Sequence, residues 1–395
     1  ALGVREGDVV AWLLRNDCAF CDAQQAAAAL GAYCVPINWH GKAEEVRYIL
    51  DDAKPKVLVA HVDLLSPLRD ILPASVQILA VPTPPEIVAR YSLDVSILVP
   101  RPSDVMWPQW SLQYEPWDGP PMRTRATMIY TSGTTGHPKG VQRQASTPQQ
   151  AAAYMDMIAR VYGLVPGVRA LVAGPLYRAS PNAYGRQALV NAEVLVLQSK
   201  FDPEETLAAI ERHRITNAVM VPTMFVRLLK LPAEVRQRYD ISSIRWVTHT
   251  GAPCPAEIKR QFMDWWGPVV YETYGGTEVG TATLAYPGSV GVPTPGTQMA
   301  FYDEGGHRLP EGEIGEIYMR VPVYADFTYL NHPQKRETVE RDGLISVGDI
   351  GYMKEGHLYL CDRRSDMVIS AGTNIYPAEI EMTLLQCPGV QDCAV

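Results

Sequence analysis

No apolar run in this chain reaches the ~18 residues that a membrane-spanning helix needs, and its start carries no basic, apolar leader of the kind that directs export. Positive charge is also short. With 35 Lys and Arg against 43 Asp and Glu, the formal net charge is −8, which gives no general pull toward nucleic acid or an anionic membrane. Cysteine is sparse and irregular, with seven residues at positions 18, 21, 34, 254, 361, 387 and 393. An odd number without framework spacing argues against a disulfide scaffold and for reduced thiols in a cytoplasmic protein. Cys18 and Cys21 match the redox CxxC spacing, yet they lie in the Ala-rich "NDCAFCDAQQAAAALGAYCVPI", where small residues buried along a helix are the better reading. No second CxxC or HxxxH partner supports zinc.

What is present describes a globular protein. Hydrophobic residues make up 47% and charged residues 20%, a balance that excludes disorder. A length of 395 residues exceeds one simple core, so two or more domains or subdomains are expected. The N-terminal part alternates strand and helix patterns. "DVVAWLL", "AYCVPIN" and "KVLVA" are strand-like, with helical "CDAQQAAAALG" and amphipathic "KAEEVRYILDDA" between them. Short apolar strands separated by helices of this length indicate a mainly parallel sheet covered on both faces. The pattern recurs through "PEETLAAIERHRI", "TNAVMVP", "TMFVRLLKL" and "SIRWVTHTG". From about residue 290 the texture changes to short strands broken by Gly-containing turns, as in a small antiparallel barrel. "RPSDVMWPQWSLQYEPWDGPP" carries too many aromatics for a free linker and reads as an ordered surface crossing. The first residues enter a strand almost at once and "PGVQDCAV" looks like a strand in progress, so both ends look cut.

The densest run of small, hydroxyl and glycine residues is "MIYTSGTTGHPKGV", Met128 to Val141. It follows the strand-like "ATMIY", and strand ends are where α/β sheets usually bind ligands. Glycines let backbone amides turn toward an anion, and the hydroxyls of Thr131, Ser132, Thr134 and Thr135 with the Lys139 ammonium complete a polyphosphate cradle. A P-loop ATPase or kinase is the alternative, but its GxxxxGK[ST] spacing fails: Lys139 follows Pro138 and precedes Gly140.

"YTSGTTGHPKGV" resembles the phosphate-binding signature of the adenylate-forming, AMP-binding enzymes, the superfamily of acyl- and aryl-CoA synthetases, luciferases and peptide-synthetase adenylation domains. Companion motifs follow in the family's order. "THTGAPCP" (Thr248 to Pro255) is similar to the loop around adenine and ribose, and "YETYGGTE" (Tyr271 to Glu278) to the aromatic-Gly-x-Thr-Glu segment. "SVGDIGY" (Ser346 to Tyr352) matches the TGD motif, and "DRRSDMVISAGTNIYPAEIE" (Asp362 to Glu381) the hinge and the first motif of the C-terminal domain.

The resemblance implies an α/β fold with a large multi-layered N-terminal domain of mainly parallel sheets, 1–364. A β-barrel-like subdomain would lie at about 290–362, and 365–395 would be the hinge and the incomplete beginning of a small mobile α+β domain. It implies a ligase that joins a carboxylic acid to the α-phosphate of ATP, releases pyrophosphate and passes the acyl group to coenzyme A, with Mg2+ as cofactor. Thr131, Ser132, Gly133, Thr134, Thr135, Gly136 and Lys139 would hold the β- and γ-phosphates. Glu278 would hold magnesium, a hard cation that needs oxygen ligands, and Thr277 would reach the α-phosphate. Gly251, Ala252, Pro253, Glu272, Thr273, Tyr274 and Gly275 would surround adenine, with Tyr274 as the stacking ring. Asp349 would take the ribose hydroxyls, Arg363 the ribose or phosphate, and Gly372 the close approach of pantetheine. Lys139, Arg178, Thr277 and Glu278 are the candidate catalytic residues.

The acid pocket is expected from Tyr177, Arg178, Asn182, Tyr184, Met224, His249, Thr250 and Gly251, with Gly275 and Gly276 leaving room at its end. Amino-acid-activating relatives keep an aspartate after the "PLY"-like motif, whereas "PLYRASPNAYGRQAL" has no acid, so a hydrophobic fatty, aryl or similar acid is expected. Two positions depart from the family pattern: Arg178 stands where many relatives have His, and Ser365 stands at the hinge where Asp or Lys is common. The family's catalytic lysine is expected beyond residue 395. A non-catalytic acyl-nucleotide binding protein is the third reading. The expected partners are small molecules alone, for a monomer or homodimer.

Overall fold

Five strands, β1 (Val9–Leu13), β2 (Tyr33–Pro36), β3 (Val57–His61), β4 (Gln77–Val81) and β5 (Val105–Met106), form a parallel sheet in the order β2-β1-β3-β4-β5. They belong to a computed structural model that describes every residue except 1, 121, 124, 132–136, 285–289, 365, 367, 371–372, 376, 385–389 and 391–395. All five residues of β3 are buried, as a strand covered on both faces requires. One cover is helix α2 (Ala43–Ala53), whose Val46, Ile49, Leu50 and Ala53 repeat at helical spacing and pack on Ala11, Leu13, Val35 and Leu58. The Glu45 carboxylate starts that helix by accepting from the Lys42 backbone N–H at 2.7 Å. On the neighbouring helix α1 (Cys18–Ala29), Phe20 meets Trp12 edge-on at 5.3 Å. Burying such side chains is worth about 1.5–3 kcal/mol each.

The described chain divides into two compact units. The first comprises Ala1–Met220, Leu231–Ile244 and Ala325–Pro333; the second comprises Val221–Lys230, Arg245–Tyr324 and Gln334–Val395. The first unit also contains β6 (Tyr130–Thr131), which returns antiparallel into β7 (Lys139–Arg143), and β7 pairs with Phe327–Tyr329. Its second parallel group has β8 (Val168–Val172) between β9 (Ala192–Leu197) and β10 (Asn217–Met220). The helix Pro203–His213 precedes β10; Asp202 caps it by accepting from Glu205 N–H at 3.0 Å, and Pro203 fills its first turn. The aromatic-rich crossing is ordered as expected, with helix Trp107–Ser111 and rings at 107, 110 and 114 in contact.

In the second unit β11 (Trp246–His249) and β12 (Val270–Glu272) pair in parallel, and helix Ala256–Trp266 between them packs on Pro222–Leu229 through Phe262 stacked on Phe225 at 4.1 Å. A tight hairpin follows, β13 (Gly275–Gly276) with β14 (Gly280–Thr281). Beyond it, Gln298–Tyr302, Gly315–Arg320 and Leu344–Lys354 form an antiparallel sheet that also takes in Glu340–Arg341 and His357–Arg363. This is the change of texture expected from about residue 290. The CxxC pair lies on α1 with Cys21 buried and Cys18 exposed. Burial pushes the Cys21 thiol up to about 12, the opposite of a redox-active thiol.

Candidate functional site

In the first unit, β6 delivers the hydroxyl- and glycine-rich loop and β7 takes it back. Thr131 pairs with Lys139, so both sit at the base of the loop, and the Lys139 ammonium lies 5.3 Å from the centre of the Tyr329 ring. Ser132, Gly133, Thr134, Thr135 and Gly136 lie outside the described residues. A Walker A lysine opens a helix after its loop. Lys139 instead opens an antiparallel strand, which removes the P-loop ATPase reading. The residues flanking the loop both rest on α2: the Tyr130 hydroxyl donates to Asp52 at 2.7 Å, and His137 stacks on Tyr48 at 4.5 Å. Burial, helped by the Asp52 charge, pushes the Tyr130 hydroxyl far above its ordinary value. Asn331 donates to both the backbone oxygen and the carboxylate of Asp52 at 2.9 Å, which fixes the acceptor.

After β8, Asn16 links the sheets of this unit. Its amide donates to Gly174 O at 2.8 Å and Gln198 O at 2.9 Å, and its oxygen accepts from Leu176 N–H at 2.8 Å. This holds the "PLY" turn at the strand ends. Tyr177 is buried, and Arg178, exposed at the start of helix Ala179–Asn191, has its guanidinium 5.4 Å from the Tyr177 ring. Arg178 makes no ion pair among the described residues. Beside them Arg15 stands over the Trp39 and Tyr91 rings at 5.1 and 4.6 Å, and Lys200 over Tyr91 at 5.3 Å. Burial and then the charges of Arg15, Arg178 and Lys200 hold the His40 imidazole below its ordinary value, so the field there is positive. Arg15 is balanced by Asp63 in a buried pair at 2.7 Å.

Two expected pocket residues of this unit are buried within it. Asn182 is 2% exposed; its oxygen accepts from Gln24 at 2.9 Å and Thr127 at 2.8 Å, and its amide donates to Leu176 O at 2.9 Å. Asn182 is therefore a strut under the "PLY" turn. Tyr184 is fully buried against Tyr162 at 5.5 Å, and burial holds its hydroxyl well above its usual value.

The second unit brings together the residues expected at adenine and ribose. The Tyr274 hydroxyl donates to Asp349 at 2.7 Å, and Arg363, paired across the ladder with Asp349, places its Nε 3.4 Å from the other carboxylate oxygen. Burial raises the Asp349 carboxyl, against the pull of the Tyr274 hydroxyl and the Arg363 charge. Burial and the Asp349 charge raise the Tyr274 hydroxyl well above its ordinary value. Arg363 is two-thirds exposed, so the pair looks outward on one side. Thr277 and Glu278 are half-buried in the turn between β13 and β14.

The glycines of that hairpin are set by packing: a Cβ on Gly275 would stand 1.9 Å from the Gly280 carbonyl oxygen and one on Gly276 would stand 2.7 Å from Val347. Close packing of the hairpin demands glycine at both positions. Gly251 needs its freedom for another reason: it turns with φ +85°.

Met224 is buried on helix Pro222–Leu229, and Thr250, Ala252 and Pro253 follow β11 in the turn to the next helix. Glu272 and Thr273, expected near adenine, are buried at the end of β12. Glu272 is committed to a partner absent from the sequence reading: Lys259 on helix Ala256–Trp266 donates to it at 2.5 Å, and both are buried. Burial raises the Glu272 carboxyl and the Lys259 charge pulls against it. Lys259 carried no sequence signal, since a lysine on an amphipathic helix ordinarily faces water. Ser365 and Gly372 lie outside the described residues.

Comparison with known proteins gives the family of the chain. The family model described as AMP-binding enzyme matches residues 1–326. Over the whole chain, which spans 76% of each relative, the sequence is 32% identical to a feruloyl-CoA synthase of Amycolatopsis sp. and 33% identical to an indoleacetate–CoA ligase of Aromatoleum aromaticum. An anthranilate CoA ligase solved with anthranoyl-AMP superposes with a TM-score of 0.85 at 25% identity, covering 100% of this chain and 75% of that one. With a matching family model across most of its length and CoA ligases among its relatives, the chain belongs to the AMP-binding enzyme family.

Proposed function

We propose that the protein is an AMP-forming carboxylic acid–CoA ligase. The observation that carries this reading is the Tyr274–Asp349–Arg363 arrangement. A carboxylate held by one tyrosine hydroxyl keeps lone pairs for two adjacent hydroxyls, as ribose presents, and the exposed guanidinium suits a neighbouring phosphate. The loop between β6 and β7, with Lys139 at its base, would supply charge to the β- and γ-phosphates.

A magnesium ion would be held by Glu278. One half-buried carboxylate fits an ion that takes one or two protein oxygens plus phosphate and water. Among the described residues no group of three or more His, Cys, Asp or Glu could hold a metal alone. When bound, the ion would neutralise phosphate charge. The positive field of Arg178 and Lys200 beside Tyr177 and Tyr91 suits an anionic co-substrate such as coenzyme A.

The acid would be apolar in the main, aryl or fatty. "PLYRASPNAYGRQAL" offers no carboxylate to an amine, and the named relatives act on feruloyl and indoleacetate groups. The domain plan proposed is a large adenylation domain at 1–364 and a hinge with the beginning of the C-terminal domain at 365–395, in a cytoplasmic monomer or homodimer. No described helix is long and apolar enough to cross a membrane. The test is pyrophosphate exchange by the full-length protein across a panel of carboxylic acids. Acid-dependent exchange with AMP as product is expected; release of ADP and phosphate overturns the proposal.

A further inference from the structure

Asp52 stands half-buried in the last turn of α2, where an acid is out of place: the carbonyl end of a helix carries partial negative charge, and a carboxylate there costs stability. Its neighbour Asp51 is balanced by Arg47 at 2.6 Å, but among the described residues Asp52 forms no ion pair. Both of its carboxylate oxygens are nevertheless taken, each by a neutral donor from a different part of the first unit. The Tyr130 hydroxyl reaches one at 2.7 Å and the Asn331 amide the other at 2.9 Å. The same amide donates to the Asp52 carbonyl at 2.9 Å, an oxygen at the helix end that has no partner inside the helix. Asn331 makes both bonds from a left-handed turn with φ +55°. Its place in the chain, like that of Tyr130, is at the margin of one three-stranded ribbon. Tyr130 opens β6, Asn331 follows the strand Phe327–Tyr329, and β7, which begins at Lys139, runs between these two outer strands. The Leu330 N–H donates to Gly140 O at 2.9 Å. The Tyr130 ring lies on Gly140, where a Cβ would stand 3.0 Å from the ring carbon that bears the hydroxyl. One carboxylate thus ties down both margins of the strand that carries Lys139.

We propose that Asp52 is a positioning residue for the triphosphate of ATP, acting by fixing Thr131 and Lys139 from behind rather than by touching the nucleotide. An ammonium is a point charge on a flexible stem, and it stabilises phosphate charge best when its backbone is held in place beforehand. Hydrogen bonds to an ionised acceptor are about twice as strong as neutral ones. An ionised carboxylate also accepts on both oxygens at once, which an amide or hydroxyl in its place does not match. The unfavourable position at the helix end is the cost of that clamp. This rests on the ligase reading and on the assignment of Thr131 and Lys139 to the β- and γ-phosphates.

The experiment measures the dissociation constants of ATP and of AMP by calorimetry on the full-length protein. AMP lacks the β- and γ-phosphates, so it reports on the fold and on the rest of the nucleotide site. Asp52→Ala should weaken ATP binding by about 10-fold and AMP binding by less than about 2-fold. Tyr130→Phe should weaken ATP by a smaller factor, and Asp52→Ala with Tyr130→Phe should be no worse than Asp52→Ala alone, since both changes cut the same link. Asp52→Asn, nearly equal in shape, keeps one acceptor and should fall between wild type and Asp52→Ala; it covers the case in which the Ala variant fails to fold. Unchanged ATP affinity in a folded Asp52 variant, or equal losses for ATP and AMP, overturns the proposal. Lys139→Ala separates it from the reading on which it rests. If that variant loses ATP affinity while Asp52→Ala does not, the role of Asp52 falls and the ligase reading stands. If Lys139→Ala binds ATP as the wild type does, the phosphate assignment falls, and the role of Asp52 falls with it.

Discussion

Lys259→Met removes the cation from a pair that the fold has sealed off. Lys259 is 3% and Glu272 7% exposed, and their charged atoms are 2.5 Å apart, so solvent cannot take over when one partner leaves. Breaking such a pair costs about 3–5 kcal/mol, while replacing both members by well-packed apolar residues is neutral or stabilising. Lys259→Met should therefore lose about 3–5 kcal/mol near neutral pH, and Lys259→Met with Glu272→Met should recover most of it. The pH dependence follows in sign. Burial already holds the Glu272 carboxyl above its ordinary 4.5, and only Lys259 opposes it; without the ammonium the folded value rises further. A group whose folded pKa exceeds its unfolded one contributes stability below the unfolded pKa and loses it as pH rises through the folded pKa. The deficit of the single variant should thus shrink as pH falls from neutral toward the ordinary carboxylate value of 4.5. Removing Lys259 also lifts part of the depression of His249, which acts in the same direction. Urea unfolding followed through the tryptophans at 246, 265 and 266 measures both effects. A loss under about 1 kcal/mol, or a double variant as weak as the single one, refutes the buried-pair account.

Asp349→Ala should raise the KM for ATP by about 10-fold or more, since it removes the acceptor of two hydroxyls, while Tyr274→Phe, which deletes one donor to that carboxylate, should cost less; equal ATP titrations for the wild type and Asp349→Ala would detach this pair from the nucleotide. Glu278→Ala should lower acyl-AMP formation by ~10²-fold or more, as expected for a magnesium ligand, and a near-normal rate would remove it from the site. Gly276→Ala should cost about 1–3 kcal/mol by overpacking Val347, with relief in Gly276→Ala plus Val347→Ala. Gly275→Ala meets backbone at 1.9 Å and should gain no such relief, so thermal unfolding of the three variants separates the two causes.

The elements that the sequence made legible are those in which local pattern and tertiary burial agree. β3 is apolar throughout and buried throughout, and α2 shows its buried face at positions 46, 49, 50 and 53. Tyr274, Asp349 and Arg363 lie 75 and 14 positions apart yet meet in space; only the ordered motifs linked them, because periodicity carries no information about contacts of that range. Residues that the motifs did not mark were missed for a common reason. Asn16, Asp52 and Lys259 are ordinary polar residues in sequence, and each acquires meaning only from what surrounds it in three dimensions: three backbone groups, a tyrosine hydroxyl, a sealed carboxylate. The glycines at 275 and 276 show the converse limit: in sequence a missing side chain reads as open space, but at their Cβ positions Gly280 and Val347 already stand.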